Sequence, residues 1–167
     1  MEKLTYYIET YGCQMNEHDS EKISGMLNSI GYSETTNKNK ADLILFNTCL
    51  IRENAELKVY GKLGEIKKLK ALNNNLLVAV CGCMMQINEN REKIISKFPF
   101  IDIVFGTNNI HELPELIEKC YSEHKRSVNI IEDTESIKED MPKERKYKHK
   151  ALVNITYGCN NFCSYCV

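Results

Sequence analysis

Four times along this chain a β-branched or aromatic run gives way to a short loop and then to apolar residues at helical spacing. TYYIET (Thr5 to Thr10) is followed by the loop YGCQMNE, and Ile23, Met26, Leu27 and Ile30 then fall at i, i+3, i+4 and i+7. Asn16 or Asp19 can cap that helix, and Gly31 is placed to end it. LILFN (Leu43 to Asn47), the loop TCLIREN and the stripe Ala55, Val59, Leu63 and Ile66 repeat the cycle. LLVAV (Leu76 to Val80), the loop CGCMM and a helix to about Lys97 repeat it again. In the fourth unit IDIVF and GTNN precede a helix with Leu113, Leu116, Ile117 and Cys120 on one face, and SVNII (Ser127 to Ile131) reads as a fifth strand. Such alternation predicts an α/β fold, an open parallel sheet with helices on both faces.

After Ile131 the composition changes. EDTESIKED is strongly acidic and MPKERKYKHK strongly basic, so residues 132–150 are expected to form a charged linker. ALVNIT (Ala151 to Thr156) reads as the strand that begins a second domain, giving expected units 1–131, 132–150 and 151–167. The basic run Lys143, Arg145, Lys146, Lys148 and Lys150 reads as solvated linker, with tRNA phosphates as the alternative partner. No apolar run approaches the roughly 20 residues of a membrane span, and MEKLTYYIET lacks the pattern of a secretory signal. A cytoplasmic location without membrane attachment is expected.

Eight cysteines are many for a reducing compartment, where metal ligation or catalysis is the commoner use. Cys13, Cys49 and Cys83 lie in the loops after the first, second and third strands. In a parallel sheet those loops share the edge where open α/β folds bind ligands. The competing reading is that each is a small buried hydrophobe. Cys120 and Cys81 read as core residues, with Cys81 the alternative to Cys83. Cys159, Cys163 and Cys166 form a C-x3-C-x2-C set. Three thiolates suit either zinc completed by a distant fourth ligand, or a cubane cluster with one iron left open.

CNNFCSYC, with Tyr165 before the last cysteine, resembles the signature of radical S-adenosylmethionine enzymes. The resemblance implies a [4Fe-4S] cluster on Cys159, Cys163 and Cys166, with S-adenosyl-L-methionine bound at its open iron and Tyr165 near the adenine. TYGCQMNEHDS, FNTCLIRENAELKVYG and VCGCMMQ resemble the amino-terminal domain of the methylthiotransferases, a subgroup of those enzymes. That implies a second [4Fe-4S] cluster on Cys13, Cys49 and Cys83, making two [4Fe-4S] clusters in all. YGCQMNEHDSEKI is closer to the tRNA branch than to the LGCPKN type acting on a ribosomal protein or the LGCKVN type acting on threonylcarbamoyl adenosine. The implied reaction places a methylthio group on C2 of N6-isopentenyladenosine next to the anticodon. Its C2–H bond is beyond a side-chain base, so no residue is expected to act as a catalytic acid or base.

The implied partners are a tRNA substrate, an electron donor such as flavodoxin or ferredoxin, and a sulfur donor of open identity. Leu50-Ile51-Arg52 after Cys49 departs from the smaller residue usual there. The family continues into a partial barrel and an RNA-binding β-domain, so the expectation is an amino-terminal fragment that is inactive alone. The alternatives are a methylthiotransferase for threonylcarbamoyl adenosine or a ribosomal protein, and a non-catalytic cysteine module holding zinc or an iron–sulfur cluster.

Overall fold

Leu43–Thr48 and Leu77–Gly82 are enclosed at every residue, as the central strands of a parallel sheet covered on both faces must be. They are β3 and β4 of a six-stranded sheet in a computed structural model that describes residues 3–49, 53–132, 140–156 and 161–164. The other strands are β1 (Thr5–Thr10), β2 (Ser33–Glu34), β5 (Ile103–Phe105) and β6 (Ser127–Asn129). All pair in parallel in the order β2-β1-β3-β4-β5-β6. The α/β architecture expected from the strand–helix alternation is therefore observed.

Strand alternation decides which helix covers which face. Leu43 and Leu45 pack with Ile23 and Leu27 of α1 (Gln14–Ser29) and with Leu116 and Ile117 of α5 (Leu113–Glu123). Ile44 and Phe46 point the other way, to Val59, Leu63 and Ile66 of α2 (Glu53–Leu72) and Ile94 of α4 (Asn88–Lys97). Fully enclosed side chains such as Ile23, Leu27, Phe46 and Leu63 contribute about 1.5–3 kcal/mol each. The chain steps from β1 out to β2 and returns on the far side of β1 to form β3. That reversal opens a crevice at the carboxyl ends of β1 and β3.

The structure departs from the expectations in four places. β2 is a strand the sequence does not announce. Its two residues are too few to show alternation, and it exists through Ser33 N–H to Leu4 O (2.9 Å) and Thr35 N–H to Tyr6 O (2.8 Å). The third helix is split into α3 (Cys83–Gln86) and α4, with extended backbone at Ile87 between them. Ile30, expected on the apolar face of α1, is 42% exposed, because it is the C-cap at which the chain turns into Gly31. Residues 151–156 form no strand, and Leu152 O instead accepts from Arg145 Nη1 at 2.9 Å.

The charged segment also does more than connect. Met141 packs on the α1/α5 core, Glu144 N–H donates to Glu21 O at 2.9 Å, and Arg145 approaches Glu21 at 3.4 Å. A β-carbon at Gly25 would stand 2.3 Å from Pro142 O, so the segment lies directly on the helix backbone. It follows α1 along a line through Glu21 and Gly25. Glu21 is buried beneath it, and His18, Asp19 and Lys22 of the same helix are buried too. No described helix is long and apolar enough to cross a membrane.

Candidate metal centre

Cys13 is the N-cap of α1 and forms a capping box with Asn16 three residues on. Its N–H donates to Asn16 Oδ1 at 3.2 Å, and its Sγ lies 3.5 Å from the same oxygen. The partial positive charge of the helix amino terminus is thus beside the Cys13 sulfur. Cys49 follows the last residue of β3 and is 2% exposed. Cys83 opens α3 immediately after β4, and its S–H reaches Thr48 O at 3.5 Å. All three are free thiols.

A polar network ties these loops together below the sulfurs. Asn16 Nδ2 donates to Thr48 O (3.0 Å) and to Asn47 Oδ1 (3.1 Å). Asn47 Nδ2 donates back to Asn16 O (2.8 Å) and to Ser20 Oγ (3.0 Å). Thr48 Oγ1 donates to Cys81 O at 2.5 Å, joining β3 to β4 just before Cys83. Asn16, Asn47 and Thr48 are all buried.

Close backbone approach makes the convergence possible. A β-carbon at Gly12 would lie 2.6 Å from Cys49 Cβ, and one at Gly82 would lie 2.2 Å from Thr48 O. Both glycines have positive φ, 133° and 100°, so a side chain there is excluded by conformation as well as by space.

Among the described residues no three Cys, His, Asp or Glu side chains close on one metal ion. A cubane takes each thiolate on a different iron, so its ligands stand farther apart than those of a single ion. Three free thiols at one sheet edge, over a cradle that a Cβ would fill, fit such a group in number and chemistry.

Cys81 and Cys120 belong to the core. Cys81 is 1% exposed, and burial, with Asp19 and Cys83 adding to it, pushes its thiol well up. Burial raises the Cys120 thiol too, and its S–H donates to the carbonyls of Asp102 and Lys125. Of the second cysteine set, Cys163 is exposed, while Cys159, Cys166 and Tyr165 lie outside the described residues.

In the basic run, Arg145 is bound to Glu21, Lys150 lies 3.6 Å from Glu17, and Lys146 and Lys150 stand 5.6 and 5.5 Å from the Tyr147 ring centre. A cleft of about 310 Å³ is lined by residues 144–147 of this segment together with β1 and α1, with Gly12 at its wall. Asn16, Asn47 and Thr48 are the site residues that sequence reasoning overlooked as such. Their signals were present: C-Q-M-N has capping-box spacing with Cys in the Ser/Thr place, and LILFNT ends an apolar strand on two polar residues.

Residues 5–106 match the family described as "Uncharacterized protein family UPF0004". The chain is 55% identical over 166 residues to a tRNA-2-methylthio-N(6)-dimethylallyladenosine synthase of Clostridium tetani, covering 99% of this chain and 37% of that protein. It is 52% identical to the synthase of the same name from Clostridium perfringens, covering all of this chain and 37% of the relative. The Caldicellulosiruptor saccharolyticus synthase is 52% identical over 163 residues, 98% of this chain and 35% of its own length. The chain therefore spans little more than a third of these curated relatives.

Proposed function

This chain belongs to the UPF0004 family, and from that membership we propose that it is the amino-terminal part of a radical S-adenosylmethionine methylthiotransferase acting on tRNA. The substrate is an N6-dimethylallyl adenosine next to the anticodon, and the reaction adds a methylthio group at C2. One observation carries the proposal: Cys13, Cys49 and Cys83 leave the neighbouring strands β1, β3 and β4 at one sheet edge and are tied together there by Asn16, Asn47 and Thr48. The names of the relatives support the substrate.

Cys13, Cys49 and Cys83 would hold one [4Fe-4S] cluster, and Cys159, Cys163 and Cys166 the other, with S-adenosyl-L-methionine bound beside Tyr165. When bound, the two clusters supply sulfur for transfer and an electron for radical formation. The protein's own part is to hold the sulfurs. Three loops braced by one sheet fix the first set, whereas the second set lies within eight consecutive residues. The proposed units are the α/β domain 1–131, the connecting segment 132–150 and the start of a second domain at 151–167. The proposed setting is the cytoplasm, with flavodoxin or ferredoxin as electron donor.

A nucleoside assay tests the function. Bulk tRNA from cells lacking the encoding gene is expected to lose 2-methylthio-N6-dimethylallyladenosine and to accumulate N6-dimethylallyladenosine. An unchanged nucleoside profile would refute the assignment.

A further inference from the structure

We propose that Asn16 is a positioning residue for the sulfur set: its buried side-chain amide, locked to Asn47, fixes how far apart the Cys13 and Cys83 thiols stand. This rests on the reading of Cys13, Cys49 and Cys83 as one ligand set.

A capping box needs only the oxygen of the N3 side chain. Asn16 supplies that oxygen to Cys13 N–H, and both hydrogens of its Nδ2 are also committed, to Thr48 O and Asn47 Oδ1. The amide cannot rotate without breaking all three bonds. Cys13 Sγ sits 3.5 Å from one end of this side chain, and the Thr48 carbonyl at its other end accepts the Cys83 S–H at 3.5 Å. The two sulfurs are therefore spaced by one side chain and one peptide oxygen.

Asn47 braces the arrangement from behind by donating to Asn16 O and Ser20 Oγ, which pins the end of β3 to the first turns of α1. Gly12 and Gly82 leave room for it. A β-carbon would come within 2.3 Å of Asn16 Oδ1 at the first and 2.7 Å of Asn47 Oδ1 at the second. An apolar side chain at position 16 would strand Asn47 Oδ1 in the interior, which is costly, and leave Thr48 O with the Cys83 S–H in place of two donors. An amide pair that only stabilised the fold could sit anywhere in the core. This one touches residues adjoining each of the three sulfur loops.

The test compares the full chain with its Asn16→Asp variant, which keeps the oxygen facing Cys13 N–H and removes both Nδ2 donors. Lys70→Met is the control for general destabilisation. Lys70 holds Asp102 at 2.8 Å and lies at the opposite, amino-terminal edge of the sheet. Two readouts are taken: bridging of Cys13 to Cys83 by dibromobimane in metal-free protein, located by peptide mass spectrometry, and iron affinity on anaerobic reconstitution.

The expected result is bridging in the wild type and in Lys70→Met. Asn16→Asp, folded by circular dichroism, should bridge several-fold less and bind iron roughly 10- to 100-fold more weakly, the usual cost of losing a residue that orients a ligand. Bridging and iron at wild-type levels in folded Asn16→Asp would overturn the proposal. So would parallel losses in Lys70→Met, or a wild type that does not bridge. If Asn16→Asp does not fold, Asn47→Ser is read in the same way, and failure of both to fold makes the pair purely structural and overturns it. A wild type that bridges but takes up no iron refutes the cluster reading and leaves the positioning role standing.

Discussion

Gly25 and Pro142 meet backbone to backbone, with the Pro142 carbonyl oxygen 2.3 Å from where a β-carbon on residue 25 would stand. Gly→Ala inside a helix ordinarily gains roughly 0.5–1 kcal/mol. Here the sign should reverse. Gly25→Ala is expected to cost about 1–3 kcal/mol, as overpacking does, and to lift residues 141–146 from α1. Limited trypsin digestion should then cut faster after Lys143, Arg145 and Lys146, with a lower melting temperature. Unchanged cleavage and melting would show that the segment does not rest on α1 in solution.

Gly82 and Gly31 separate conformation from close approach. Both have positive φ, 100° and 94°, but a β-carbon at Gly31 would meet nothing within 4 Å, while one at Gly82 would face Thr48 O at 2.2 Å. Gly31→Ala should cost about 1–2 kcal/mol, the penalty of a left-handed residue. Gly82→Ala should cost roughly 1–3 kcal/mol more. Denaturant midpoints of the two variants measure the difference, and equal losses would contradict the tight crossing below Cys83.

Burial holds the Asp19 carboxyl up to about 6, despite Lys22 at 3.4 Å. The folded protein therefore binds more protons than the unfolded chain between about pH 4 and pH 6. The Asp19 contribution to stability is fully present below about pH 4 and is lost as the pH rises through 6. Asp19→Asn should remove that slope, gaining about 2–3 kcal/mol on the wild type between pH 4 and pH 7. Parallel urea-unfolding curves across this range would contradict the assignment.

Cys81→Ala and Cys120→Ala should each keep full iron content after reconstitution, because both thiols lie in the α1/α5 core. Iron analysis of the single variants checks this. Loss of iron in Cys81→Ala together with retention in Cys83→Ala would move the ligand assignment by two residues.

How far the sequence carried the structure depended on the range of the interaction responsible. β3 and β4 were legible because both faces of a central parallel strand are buried, so LILF and LVAV are apolar without interruption. The edge assignment of Cys13, Cys49 and Cys83 followed from that alternation alone. β2 was not legible, because pairing with β1 and not its own composition makes Ser33–Glu34 a strand. The burial of Glu21 could not be foreseen either, since Glu144, Arg145 and Lys146, more than a hundred positions away, bond to it. Asn16 and Asn47 were visible as a cap and a strand end, but their mutual bonds depend on α1 crossing the end of β3, which no local pattern states.

Whether Cys13, Cys49 and Cys83 together hold a cluster is decided by anaerobic reconstitution of Cys159→Ala/Cys163→Ala/Cys166→Ala with iron and sulfide, followed by metal and labile-sulfide analysis. The triple variant should retain about four irons and four sulfides per chain, roughly half of what the unaltered protein binds. A triple variant that binds no iron, or that binds zinc without labile sulfide, would contradict the shared cluster.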